Sequence, residues 1–356
     1  MSFNRLVADD FVVSTDSITA GLWGDSSTPN LSTFITSSAQ AAGSSGNYYL
    51  NVFSAGTSTG PSELEFAVTY GNSVGGGSLL FDSAVAERSP SSTIYGSYRT
   101  LVLGDETAAF SFGGVTSSDF WAISIDRNRY KESLFPGSLT LIISGSDAAA
   151  GGGMLSLTDN SQIVTTTTFN DAGRVFQIVS GSAGTVFTGV NNNGYSLASG
   201  SYGFFLPDIA TLLLNPRAIT AGNTGVSKSF ADIKPVTTTN TDGNNPGILI
   251  RAISSSANPS PNPALPFTLN SQENITSDFV FVRPRSSEYN YSSNPSFISG
   301  STGEVLFNSF INNPQTYMTT VGLYNDTNEL LAVAKLSRPL PKDFTKEALV
   351  RVKLDF

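Results

Sequence analysis

Glu63-Leu64-Glu65-Phe66-Ala67-Val68-Thr69-Tyr70 alternates Leu64, Phe66, Val68 and Tyr70 with Glu63, Glu65, Ala67 and Thr69. This is the period of two expected of a half-buried β-strand. Upstream, Tyr48-Tyr49-Leu50-Asn51-Val52-Phe53 reads as a neighbouring strand, and the Gly/Ser/Thr-rich residues 55–61 between them read as a turn. Downstream, residues 100–103, 120–125 and 139–144 extend the series, with Pro136-Gly137 supplying a turn before the last. Together they predict a first antiparallel unit that closes near residue 145.

Composition points the same way. Among 356 residues there are 33 Gly and 17 Pro, with 24 Phe and 12 Tyr, and only 13% of residues are charged. Short strands joined by tight turns fit that mix better than helix bundles with charged outer faces. The expected fold class is all-β, in two or three β-sandwich-like antiparallel domains with long Gly/Ser/Asn-rich loops. Ala148-Ala149-Ala150-Gly151-Gly152-Gly153 marks a joint, which gives an N-terminal β domain over 1–145 and a middle one over 146–225. In the middle domain, residues 163–169, 174–179 and 202–206 read as strands. The short apolar run 208–216 is strand or short helix, which periodicity does not separate. Residues 226–270, rich in Thr, Asn and Pro with Asn258-Pro259-Ser260-Pro261-Asn262-Pro263 as the extreme, read as a connecting segment.

A C-terminal β domain over 271–356 follows. It holds Phe279-Val280-Phe281-Val282, then strands over 318–324 and 329–336 joined as a hairpin by Asn325-Asp326-Thr327-Asn328. The closing Ala348-Leu349-Val350-Arg351-Val352-Lys353-Leu354-Asp355-Phe356 alternates strictly and predicts a docked terminal strand.

There is no histidine and no cysteine. Disulfides, thiol chemistry, Ser-His-Asp and Cys-His catalysis, and ordinary zinc or haem sites are therefore closed to this chain. Only carboxylate, lysine, tyrosine or oxygen-ligated metal chemistry stays open, and the motifs for it are weak. Gly56-Thr57-Ser58-Thr59-Gly60 has nucleophile-elbow spacing but runs into Pro61 and a strand instead of a helix. Residues 71–78 are glycine-rich but lack the Lys-Ser/Thr of a phosphate loop. Asn240-Thr241-Asp242-Gly243-Asn244-Asn245 lacks the closing bidentate acid of a calcium loop. Glu63 and Glu65 sit side by side on one strand face, where acids are solvated or meet a basic partner, whereas hydrolytic pairs face each other across a cleft. No catalytic residue, metal site or cofactor is expected.

Charge is distributed unevenly along a chain of formal net charge −9. Residues 1–98 carry two basic groups, Arg5 and Arg88, against eight acids, while residues 335–353 carry six basic groups against two acids. Such asymmetry suits head-to-tail contact between copies or docking on an acidic neighbour. The expected interface residues are Arg127, Arg129 and Lys131 of the Asp126–Glu132 charge cluster, with Tyr317, Tyr324, Lys335, Lys342, Lys346, Arg351 and Lys353. The flanking acids and the acidic total argue against a nucleic-acid partner. No apolar run is long enough to span a bilayer. The N-terminus has no signal-peptide pattern, so synthesis in a cytoplasm is expected.

The hairpin sequence Tyr317-Met318-Thr319-Thr320-Val321-Gly322-Leu323-Tyr324, followed by Leu330-Leu331-Ala332-Val333-Ala334-Lys335-Leu336 and Pro339-Leu340-Pro341-Lys342, resembles a stretch that recurs in tail and tail-fibre-associated proteins of tailed phages. Tyr98-Arg99, residues 127–132 with Pro136-Gly137, Gly173-Arg174-Val175-Phe176-Gln177-Ile178-Val179-Ser180-Gly181 and Leu213-Leu214-Asn215-Pro216 extend the similarity over most of the chain. The family resembled is the virion structural proteins of T4-like, marine and related contractile-tailed bacteriophages. The resemblance implies a tail, baseplate or neck component whose partners are copies of itself and other virion proteins, located in the virion after synthesis in the host cytoplasm. It carries over no active-site residue. A second expectation is a tail appendage that binds a host-surface glycan, with Tyr48, Tyr49, Tyr95, Tyr98, Trp121, Tyr289 and Tyr291 as stacking candidates. A carboxylate-based polysaccharide depolymerase is a third.

Overall fold

The computed structural model describes residues 4–23, 35–36, 49–53, 63–78, 81–85, 88–144, 154–187, 202–220, 233–237, 244–256, 266–292 and 294–355. The fold is all-β in class and built from antiparallel sheets. It divides into two units: residues 18–273, and residues 1–17 with 274–356.

In the larger unit a single sheet runs through the strands Phe267–Thr268, Thr140–Ser144, Met154–Asp159, Gly173–Ser182, Gly203–Leu206, Thr211–Leu214, Asp119–Ile125, Leu64–Asn72, Tyr49–Phe53 and Ile35–Thr36, in that spatial order. Phe66 and Phe267 lie on strands separated by six others. Laid flat at about 4.8 Å per strand, they would be roughly 34 Å apart. Their ring centroids are 5.5 Å apart, and Trp23 packs on both, at 5.8 Å from Phe66 and 5.0 Å from Phe267. The sheet therefore curls back on itself, so one sheet supplies the two facing layers of a sandwich-like core. The Trp23 indole N–H donates to the Phe267 carbonyl at 3.2 Å and holds the closure.

Alternation sorts the side chains to two faces. Trp121, Ile123, Phe205, Leu212 and Leu214 point into the curl, while Phe120, Ala122, Phe204 and Leu213 point out, and all are buried. Burial of both faces explains why 212–214 reads as a continuous apolar run. The concave side is filled by the helix Asn244–Ser256 through Ile248, Leu249, Ile250, Ala252 and Ile253. Asn245 pins its start: its side chain bonds both backbone groups of Val236 at 2.9 Å, and its carbonyl accepts from the Trp121 indole at 2.9 Å. The convex side is covered by the helix Pro90–Leu103 and the small hairpin Phe110–Phe112/Val115–Ser117, with Tyr95, Phe110, Phe112, Phe120 and Phe204 in mutual ring contact. Ser89-Pro90 opens that helix, and Gly104 closes it at φ 63, its N–H bonded to the Thr100 carbonyl.

Several expectations are corrected here. Residues 100–103 are the last turn of a helix, not a strand. The 163–169 strand reduces to Thr168–Asn170, preceded by a turn. Residues 208–216 contain both alternatives: a 3-10 turn over Pro207–Ile209, the strand Thr211–Leu214 and the short helix Pro216–Ile219. The boundary at 145/146 does not divide domains, because Ser144 and Leu141 pair with Met154 and Leu157 as a hairpin. The joint 148–153 itself, the motif 56–60 and the proline run 258–263 lie outside the described residues. The 226–270 segment is no simple connector, since it supplies the helix at the heart of the core.

The smaller unit pairs Phe11–Gly21 with Asn270–Val282, which pairs in turn with Val350–Asp355. Against this sheet packs the hairpin of Thr316–Tyr324 and Leu330–Lys342, as the sequence predicts, through Val321, Leu323, Ala334, Leu336 and Leu340.

Both tryptophans, Trp23 and Trp121, are buried in the larger unit. Phe267→Ala should therefore lower the stability of that unit by about 3–5 kcal/mol, read as a fall in the urea midpoint of tryptophan fluorescence. An unchanged midpoint would show that the aromatic closure is not what holds the sheet curled.

Candidate assembly surface

Carboxylates are one of the routes left open to chemistry, and the buried ones among the described residues are each tied into the fold. Glu65 meets the Arg129 guanidinium at 3.0 Å, and the same guanidinium binds the exposed Glu63. The adjacent acids thus meet a basic partner. The Asp159 carboxylate accepts the Gly137 N–H at 2.8 Å and the Ser161 N–H at 3.2 Å. Asp119 accepts from the Tyr70 hydroxyl at 2.9 Å and from the Ser117 hydroxyl at 3.4 Å. The described residues contain no group of three acids or other ligating side chains able to hold a metal. The glycine-rich 71–78 loop turns its Gly75 and Gly76 carbonyls toward the hydroxyls of Ser89 and Ser91, and the Val236 carbonyl and Asn245 crowd Gly77. It is a packed turn whose Gly75 and Gly76 carbonyls are engaged by the protein's own hydroxyls. Asn244 and Asn245 of the supposed calcium loop open the core helix, and 240–243 lie outside the described residues.

The surface of the smaller unit is different. It spans about a hundred residues, yet its buried apolar side chains among the described residues are Val280, Val350 and Val352. Meanwhile Val13 is 67% exposed, Leu331 69%, Tyr317 62% and Val333 57%. A domain of this size ordinarily buries a much larger core, and contiguous exposed apolar surface marks an interaction site. The hairpin shows how the outer face is made. Gly322 lacks a side chain where a Cβ would lie 3.0 Å from the Tyr324 ring and 3.4 Å from Leu330, so both lean over it and form an outward apolar patch.

The expected interface residues fall into three groups. Tyr317, Tyr324 and Lys335 are exposed on the outer hairpin face, as an interface requires. Lys346 pairs loosely with Asp343 at 3.6 Å, while Arg351 and Lys353 lie over the Phe279 ring, Lys353 also pairing with Asp355 at 2.8 Å. Lys342 is a correction. It is fully buried, its ammonium donating to the Ser286 carbonyl, Asn290 Oδ1 and the Asp343 carbonyl at 2.9–3.0 Å, so it has no surface to offer. Arg129 is likewise consumed by its two glutamates. Arg127 and Lys131 are exposed in the larger unit, Arg127 lying over the Tyr130 ring at 4.7 Å. Of the glycan-stacking candidates, Tyr95 and Trp121 are core residues and Tyr98 packs edge-on to Phe120. Tyr48 lies outside the described residues. What the sequence reading missed is the strand Phe11–Gly21, whose apolar Phe11, Val12 and Val13 are exposed.

No family model, no curated protein and no solved structure matches the chain. No helix among the described residues is long and apolar enough to cross a membrane.

Burial is the main influence on Asp119, pushing its carboxyl above the usual range against the opposing donors from Tyr70 and Ser117. The folded state therefore holds this proton more tightly than the unfolded chain. Stability contributed by the group rises as pH falls from the folded value toward the ordinary carboxylate value of about 3.9. Asp119→Asn should flatten that rise in urea midpoint on acidification; a slope equal to that of the unmodified chain would refute the assignment.

Proposed function

We propose that this chain is a non-catalytic structural component of a tailed bacteriophage particle, a tail, baseplate or neck part acting by subunit–subunit binding during assembly. The observation that carries the binding role is that the smaller unit buries three apolar side chains among its described residues, with the rest of that cluster only partly buried, beside its exposed apolar hairpin and N-terminal strand. Such a surface is completed by association, which removes it from water. The internal consumption of the buried carboxylates supports binding over turnover. The phage assignment draws on the sequence resemblance, and its partners are copies of the chain and other virion proteins, met after synthesis in the host cytoplasm. Gold-conjugated antibody against the purified chain should decorate one fixed region of intact particles. Antibody that marks no particle, with the protein recovered only apart from virions, would sink the proposal.

One observation favours a second reading, glycan binding at an exposed appendage. Tyr289 holds a positive φ of 54, unusual for a residue with a side chain, and both its ring and that of Tyr291 are exposed. On this reading, replacing both tyrosines by alanine abolishes glycan-array binding; signal that survives the pair removes it.

A further inference from the structure

We propose that copies of the chain join head to tail, residues 11–17 of the strand Phe11–Gly21 in one copy adding to the open edge of the strand Thr316–Tyr324 in the next. The inference deepens the binding role above and rests on it.

Open strand edges invite pairing with another chain unless prolines or charges block them. The smaller unit has four such edges among the described residues. Val350–Asp355 is guarded by Arg351, Lys353 and Asp355. Leu330–Lys342 is guarded by Lys335, Arg338, Pro339 and Pro341. Thr316–Tyr324 has neither proline nor charge in nine residues, and Phe11–Gly21 has no proline and the single charge of Asp16 in eleven. The two unguarded edges are similar in length. No residue of the Phe11–Gly21 strand is buried, so both its faces are available for cover.

Charge selects how these edges combine. Residues 6–21 carry Asp9, Asp10 and Asp16 with no lysine or arginine. The hairpin strand behind the acceptor edge carries exposed Lys335 and Arg338 and no acid, with Lys335 directly across from Thr320. Joining two hairpin edges would set basic groups against each other, and joining two N-terminal strands would oppose aspartates. Only the mixed pairing brings opposite signs together. Main-chain hydrogen bonds would supply affinity and the exposed Phe11, Val12, Val13 and Tyr317 the apolar cover. Because donor and acceptor are different surfaces of one unit, the contact is heterologous and propagates from copy to copy.

The test uses the full chain in sedimentation velocity over a concentration series. The unmodified chain should form species that grow with concentration. Asp9→Lys with Asp16→Lys, or Lys335→Glu with Arg338→Glu, should each weaken association about tenfold or more, and the chain carrying all four should regain it. Thr319→Pro serves as a charge-independent block. Thr319 falls in the register gap between Met318 and Thr320, so the hairpin's own pairs stay intact, and unchanged circular dichroism would confirm folding. Association that ignores all these variants overturns this contact but leaves binding through another surface standing. A chain that stays single at every concentration overturns the contact too, while particle labelling then judges the broader role separately.

Discussion

The larger unit depends on the meeting of Trp23, Phe66 and Phe267. Without that contact the sheet would be an open ribbon with one long apolar face exposed. With it, strands distant in the sheet share a single interior, and the helix Asn244–Ser256 has a concave surface to fill. The indole-to-carbonyl bond from Trp23 to Phe267 matters because it satisfies the ring's one polar atom inside an apolar cluster. The arrangement is self-sufficient: both faces of its central strands are covered by the chain's own helices and side chains.

The smaller unit has no such closure. Its sheet and hairpin form two thin layers, and the residues that would make a thick core point to solvent on the outer face. A chain that finishes one unit and leaves the other short of apolar cover divides its labour. The larger unit covers its own apolar faces, and the smaller leaves apolar side chains of its hairpin and N-terminal strand exposed. Its two edges without proline or clustered charge are consistent with that division, since an edge meant to stay alone ordinarily carries such guards.

Period-two strands were legible wherever one face meets solvent or a single core layer, as in 64–70, 318–324 and 350–354. Legibility failed where burial is two-sided or pairing is distant. Residues 212–214 are apolar throughout because helices and sheet cover both their faces, which erases the alternation. The Pro90–Leu103 helix announces itself through Ser89-Pro90 and Gly104 and through Ile94, Tyr95, Tyr98, Leu101 and Val102 at helical spacing. A four-residue window over 100–103 hides that pattern. The core helix was obscured by its polar flanks, although Ile248-Leu249-Ile250 was in plain view. Glycine-rich 148–153 reads as a domain joint because nothing local reveals that the strands on either side pair. At the surface, Tyr317, Tyr324 and Lys335 were legible from alternation, but Lys342 was not. A lysine at the end of a strand gives no sign that three oxygens will enclose it.

That enclosed ammonium has a mechanical meaning. The hairpin's far tip, around Asp326 and Thr327, is exposed and tied by its own turn, where the Asn325 side chain accepts from the Thr327 and Glu329 N–H groups. Its base cannot lift without stripping a cation from the Ser286 and Asp343 carbonyls and Asn290, an expensive loss in a dry setting. The two strands are therefore anchored at the base by an enclosed cation, whereas the turn at the other end is held only by exposed hydrogen bonds that water can replace.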